Sequence, residues 1–228
     1  MDINAVITGD LVKSRKIIET DIAPVIESLK ETFNMINEII LDQKGSFDIY
    51  RGDSFQAIIP KPELALLAAI IIRARLRTYV PSSSVSGKHK NIKPIIHSYT
   101  DARVAIGVGA ISYNSARITE SQGEAFVKSG HAYDTIIKNN ECLAINTPWD
   151  NINQEFDVAC KLTDAIIKKW TASTAEAMYH HLLFGKNQQE LATQFEISQP
   201  GVHKRLILYG NLTGIQAFIK RYQKLMIQ

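Results

Sequence analysis

The chain has 228 residues, 45% hydrophobic and 21% charged, with a net charge of +3. That suits a medium domain plus a small one and excludes a disordered chain. Two cysteines, Cys142 and Cys160, are too few and too plainly spaced for a disulfide framework or a zinc site, and they read as small buried apolar residues. The charge is unevenly spread: residues 171–228 hold six Lys+Arg against three Asp+Glu, so the whole surplus sits in the tail, where it suits a polyanion. The longest apolar run, residues 64–72, stops at Arg73 and is too short to span a bilayer. Met1-Asp2 leads straight into a strand-like stretch with no leader pattern, so the expectation is a cytoplasmic protein without a membrane partner.

Residues 4–8 form a short apolar run ending at Gly9-Asp10, which predicts a buried strand. Asp21 can cap a helix with Pro24 in its first turn, and Ile26, Leu29, Phe33, Ile36 and Ile40 continue at helical spacing. Ser46–Tyr50 and Ser54–Ile59 flank Arg51-Gly52-Asp53, a hairpin with a tight turn. Pro62 opens a second helix with its body at 64–77, and the Ser-, Lys- and Pro-rich stretch 81–98 reads as a mobile excursion. Residues 103–111 are a strand whose Gly107 and Gly109 predict that another element packs close. A loop and helix fill 114–139, a last strand covers 142–147, and 157–170 is a helix that also serves as connector. Residues 1–150 are therefore expected to be an α+β sandwich of order βαββαβαβ, with helices over one or both faces of a mainly antiparallel sheet. Residues 151–170 would connect it to a small all-α unit, 171–228.

The tail carries a helix-turn-helix pattern. Residues 175–184 are an amphipathic helix stopped by Gly185, Asn187 can cap a helix over 188–195, and Ser198 can cap a third with Gln199-Pro200 in its first turn. Leu191, Ala192, Phe195, Ile197, Val202 and Leu206 are the positions that must be apolar; the small Ala192 lets the helices approach and Ile197 plugs the turn. Glu196 stands where a left-handed backbone is expected, at roughly 1 kcal/mol for a residue with a side chain. The third helix would then expose Gln199, His203 and Lys204. Glutamine pairs bidentately with adenine, and Lys204 and Arg205 reach guanine edges or phosphates, with Ser198, Gln188 and Gln189 beside the backbone. Double-stranded DNA is the partner this implies; the other reading is a three-helix bundle used only for packing or dimerisation. His180 and His181 read as ordinary surface and core histidines. Ile215, Phe218, Ile219, Tyr222 and Leu225 repeat at helical spacing, in a helix that either covers the bundle or pairs two copies as a homodimer, covering being the favoured role.

Upstream, Asp10 ends the first strand and Asp53 sits at the hairpin tip. If the strand lies beside the hairpin, the two carboxylates converge at one sheet edge, which is how proteins usually hold Mg²⁺. Aspartate is also common at strand ends and hairpin tips for conformational reasons. The Gly-Asp after the first strand, the Gly-Asp-x-Phe hairpin and the Arg-x-Ala-Ile-Gly-x-Gly strand resemble the class III nucleotide cyclase and GGDEF palm. Gly9-Asp10, Ser14-Arg15, Arg51-Gly52-Asp53-Ser54-Phe55-Gln56, Arg103-Val104-Ala105-Ile106-Gly107-Val108-Gly109 and Gly123-Glu124-Ala125-Phe126, followed by a helix-turn-helix, resemble the SatD family over nearly the whole chain.

The resemblance implies a cyclase/ferredoxin-like sandwich in which Asp10 and Asp53 are metal ligands for Mg²⁺. It also implies a nucleotide ligand held by Lys13, Ser14, Arg15, Gly52 and Lys138. The sequence departs from the palm pattern at Lys13, where glycine is usual, and at Asp134 and Lys138, where asparagine and a transition-state arginine are expected. Lys128 stands in place of an adenine-selecting aspartate. Lysine lacks the planar fork of arginine, so these departures favour binding over turnover. The resulting expectation is a DNA-binding regulator whose palm senses a nucleotide. The alternatives are an active cyclase or nucleotidyltransferase with a tethering tail, and a palm kept only as a dimerisation body.

Overall fold

The structure is a computed structural model and describes residues 3–14, 19–50, 52–86, 95–96, 99–113, 115 and 117–227. Strand β1 (Ile3–Leu11) is followed by helix α1 (Glu19–Ile39), the hairpin β2 (Ser46–Tyr50) and β3 (Ser54–Ile59), and helix α2 (Ala65–Leu76). A short ribbon, β4 (Val85–Ser86) with β5 (Ile95–Ile96), precedes the long strand β6 (Ala102–Tyr113). Then come β7 (Gln122–Gly123), α3 (Glu124–Asn139), β8 (Leu143–Asn146) and α4 (Asp150–Ile167). The tail holds α5 (Ala172–Phe184), α6 (Gln188–Gln194), α7 (Gln199–His203) continued by a π-helical stretch Lys204–Tyr209, and α8 (Leu212–Met226).

The main sheet runs β2-β3-β1-β6, antiparallel throughout, with β7 pairing antiparallel and β8 parallel to β6. An α+β architecture is what the pattern of elements predicts. The period-2 pattern divides the two faces. Ala5, Ile7 and Leu11 of β1 join the core under α1 and α2, whereas Val6 packs with Ile58 and Ala125 under α3. Gly107 lies directly beneath α3: a Cβ there would overlap the backbone of Ala125 and Ser129. The close approach expected from the strand glycines is thus made by α3.

Helix α2 is buried nearly all round, because the sheet lies on one side and α1 and α5 lie on the others. One continuous core runs from Ala5 and Phe55 through α2 to Met178, Leu206 and Tyr222, across both expected boundaries at 150 and 171. Helix α8 covers this core with Ile215, Phe218, Ile219, Tyr222 and Leu225, and the Tyr222 hydroxyl donates to the Pro62 carbonyl at 2.9 Å.

Several boundaries differ from expectation. Helix α1 already includes Glu19, so Asp21 is not its cap; its carboxylate instead accepts from the Ser82 N–H (2.7 Å) and hydroxyl (3.1 Å). Helix α4 starts at Asp150 rather than 157, because Thr147 and Asn153 form a hydrogen-bonded entry: Thr147 Oγ1 accepts from Trp149 N–H at 3.1 Å and donates to Asn153 Oδ1 at 2.9 Å. Helix α5 starts at Ala172, capped by Thr171 rather than opening at 175. Of the excursion 81–98, a 3₁₀ turn (Ser82–Ser84) and the β4–β5 ribbon are described; residues 87–94 and 97–98 lie outside the described residues.

Candidate functional site

Asp10, next to the last residue of β1, has Ser54 of β3 as its partner on one side and Arg103 of β6 on the other. The Leu11 N–H donates to the Asp53 carbonyl at 3.0 Å, which lays the hairpin turn against the end of β1. The Ser14 hydroxyl donates to Asp53 Oδ2, so the loop after β1 grips the second carboxylate. Strand β1 does lie beside the hairpin, and Asp10, Asp53 and Ser14 stand at one edge of the sheet.

Two further groups complete this edge. Arg103 Nη1 donates to Asp10 Oδ2 at 2.8 Å, while Asp10 Oδ1 is buried and completes no hydrogen bond among the described residues. Burial pushes the Asp10 carboxyl above the ordinary carboxylate range; Arg103 and the Tyr133 hydroxyl of α3 pull against that, and the charge on Asp53 adds to it. Tyr133 is itself pushed up to about 12 by burial and by Asp10. The signal for Arg103 was present in the Arg-x-Ala-Ile-Gly-x-Gly strand; only the register that sets it opposite Asp10 was missing.

The nucleotide candidates are partly assembled. Lys13 is exposed and left-handed (φ 56°), so the backbone takes the conformation for which glycine is usual and carries a side chain at that cost. The N–H groups of Leu11 and Val12 are already engaged, by the carbonyls of Asp53 and Asp101, which narrows any backbone phosphate cradle to the residues after Val12. Gly52 has φ +81° and open space where a Cβ would stand, so the turn conformation is what calls for glycine there. Lys138 is exposed in the last turn of α3, beyond Tyr133. Arg15 and Arg51 lie outside the described residues. Among the described residues no group of three or more His, Cys, Asp or Glu is placed to share a metal ion, so a cation at Asp10 and Asp53 would complete its shell with other oxygens. A cavity of about 300 Å³ between α3, β8 and α4 is lined by Glu141, Asp150 and Asp157 and involves neither Asp10 nor Asp53.

In the tail, Asn187 accepts from the N–H groups of Gln189 and Glu190 while Glu190 accepts from the Asn187 N–H, a complete capping box. Glu196 takes the left-handed turn (φ 53°), and Ser198 accepts from the Gly201 N–H at 3.3 Å. Leu191, Ala192, Val202 and Leu206 are buried, with Phe195 and Ile197 packed against them. Gln189, Ser198, Gln199, His203 and Lys204 are exposed, and Gln188 and Arg205 are half-buried, with the Arg205 guanidinium 5.5 Å from the Phe195 ring centroid. A cavity of about 330 Å³ beside them is lined by Lys169, Thr171, Ser173, Lys204, Arg205 and Tyr209. Lys169 and the exposed Tyr209 were not foreseen.

The cluster that the sequence conceals most fully lies between the two sites. Arg73, which reads in the sequence only as the end of an apolar run, is fully buried. It forks onto Asp101 (Nε–Oδ1 3.0 Å, Nη2–Oδ2 2.9 Å) and reaches Asp164 at 2.9 Å. Arg77 joins Asp101 at 3.0 Å and donates to the carbonyls of Lys168 and Trp170, both at 2.8 Å. The Trp170 indole in turn donates to the Gly210 carbonyl at 3.1 Å. A charged interruption of an apolar helix is the one signal a sequence could offer for such a cluster. Cys142 and Cys160 are free and buried, as expected, and burial pushes the Cys142 thiol up to about 11.

The chain matches no protein-family model and, at a significant level, no curated protein.

Proposed function

We propose that this chain is a DNA-binding regulator of SatD type, in which α6, the turn at Glu196 and α7 form a helix-turn-helix. The observation that carries the reading is the division of α7: Val202 is buried in the core while Gln199, in the turn capped by Ser198, and His203 and Lys204, one turn further on, stand exposed. A recognition helix needs this arrangement, because base edges are reached by side chains near its N-terminus. The basic cavity at Lys169, Lys204 and Arg205 supports a phosphate-bearing partner.

The cyclase-like palm is the nucleotide-binding half of this reading, with Mg²⁺ between Asp10 and Asp53. The buried Oδ1 of Asp10, which completes no hydrogen bond among the described residues, and the anchored carboxylate of Asp53 fit a hard cation. Such an ion would supply positive charge to the ligand's phosphates, with Lys13 and Ser14 beside it. The role assigned to the palm is binding, without turnover.

The test is a gel shift against a selected duplex with Gln199, His203 and Lys204 all changed to Ala. Binding weakens by about 1–3 kcal/mol for each base-reading side chain removed, with the thermal transition unchanged. Wild-type affinity falls steeply as salt rises, because phosphate neutralisation releases counterions. Equal affinity of the wild type and the triple variant refutes the assignment.

A further inference from the structure

The carboxylate edge holds a cation of its own. Arg103 Nη1 sits 2.8 Å from Asp10 Oδ2, and the side chains are only 25% and 14% exposed, so the pair is shielded yet reachable from solvent. Asp10 Oδ1 completes no hydrogen bond among the described residues although the Tyr133 hydroxyl stands near the carboxyl, and Asp53, gripped by Ser14, adds a second carboxylate to the same edge. Among the described residues Arg103 is paired with Asp10, whereas Asp53 is held by the hydroxyls of Ser14 and Ser54.

A divalent ion compensates both carboxylates, but its bonds to carboxylate oxygens are about 2.0–2.6 Å long. Bound to Asp10, it would confront the guanidinium across the same carboxylate, and like charges at that range repel. We propose that Arg103 and a divalent cation compete for Asp10: the internal pair holds the edge until metal enters, and the displaced guanidinium then receives the incoming phosphate. This rests on the metal–nucleotide reading of the same residues and adds the exchange. Arginine suits the second task because its planar fork matches phosphate oxygens.

The exchange predicts opposite effects on two ligands. Mn²⁺ alone is titrated into wild type, Arg103→Gln and Arg103→Lys, with free Mn²⁺ read by electron paramagnetic resonance. Inorganic tripolyphosphate is then titrated at saturating Mn²⁺, and thermal melts show that each variant folds cooperatively. Arg103→Gln binds Mn²⁺ at least about threefold more tightly than wild type, the scale of releasing a partly exposed ion pair, yet binds tripolyphosphate more weakly. Arg103→Lys keeps the competing charge and stays within about twofold of wild type for Mn²⁺. A folded Arg103→Gln with unchanged or weaker Mn²⁺ affinity overturns the exchange, and so does an Arg103→Lys that matches it. No Mn²⁺ binding by any of the three sinks the metal reading itself. Mn²⁺ binding that Arg103→Gln leaves unaltered sinks only the exchange.

Discussion

Replacing Arg77 with Met keeps a long unbranched side chain and deletes three hydrogen bonds, to Asp101 Oδ2 and to the carbonyls of Lys168 and Trp170. Hydrogen bonds from a charged donor contribute about 1.5–3 kcal/mol each, and breaking one side of a buried ion cluster costs about 3–5 kcal/mol. Arg73 still forks onto Asp101, so the carboxylate is not orphaned and the lower part of that range applies, about 3–4 kcal/mol. For a chain of this length each kcal/mol moves Tm by about 2–4 °C, so the expected loss is about 10 °C. The assay is thermal unfolding at pH 7, followed both by far-UV circular dichroism and by the fluorescence of buried Trp170. Acid gives a second readout. Burial alone would raise the Asp101 carboxyl, but Arg73 and then Arg77 outweigh it and hold the group below its ordinary value of 3.8. A depressed carboxyl stabilises the fold above 3.8 and loses that contribution as pH falls through the folded value. Without Arg77 the folded value moves back towards 3.8, so the loss still begins near 3.8 but is smaller and is complete at higher pH. A Tm within about 2 °C of wild type at pH 7 refutes the reasoning.

Asp10→Asn has the opposite sign: burial lifts this carboxyl above 3.8, so its contribution is greatest below 3.8 and declines as pH rises through the folded value. The metal-free variant is therefore as stable as wild type or slightly more so at pH 7, with a flatter acid profile; a loss above about 1 kcal/mol in urea denaturation contradicts this. Gly107→Ala drives a Cβ into the backbone of Ala125 and Ser129, so α3 must retreat from the sheet, at a cost of about 1–3 kcal/mol or more. An unchanged Tm would mean that α3 does not rest on β6 there.

Local chemistry made much of this fold legible. The turn around Gly52 fixed the β2–β3 hairpin to the residue, and the Asn187, Ser198 and Gly185 signals placed the tail helices because each satisfies a backbone group that nothing else nearby can. The paired glycines Gly107 and Gly109 correctly announced a close neighbour, though not which one. What stayed hidden was cross-chain. The start of α4 depends on Thr147 and Asn153 bonding to each other, and residues 151–156 carry no strong apolar stripe to announce a helix. Arg103 acquires its role only from the register of β1 with β6. Arg73 and Arg77 look like the polar end of a helix until α4 and α5 bury them.

That burial bears on how the two proposed sites are held together. Buried ion clusters contribute little net stability compared with apolar residues of the same volume, since desolvation offsets most of the attraction. The α2 interface is already apolar along Ala65, Leu66, Ala69 and Ile72, and it would be sealed without charge. Apolar packing tolerates sliding by a fraction of a turn; a guanidinium that must meet Asp101 and two carbonyls at 2.8–3.0 Å does not. The arginines thus fix the register of α4 and the tail against α2. The same Asp101 accepts the Val12 N–H through its carbonyl at 2.8 Å, and Trp170 holds the Gly210 carbonyl where the π-helical stretch ends. The loop after Asp10 and the end of the π-helical stretch after Gln199 are therefore tied to one polar frame, the first through the Val12 N–H and the second through the Trp170 indole.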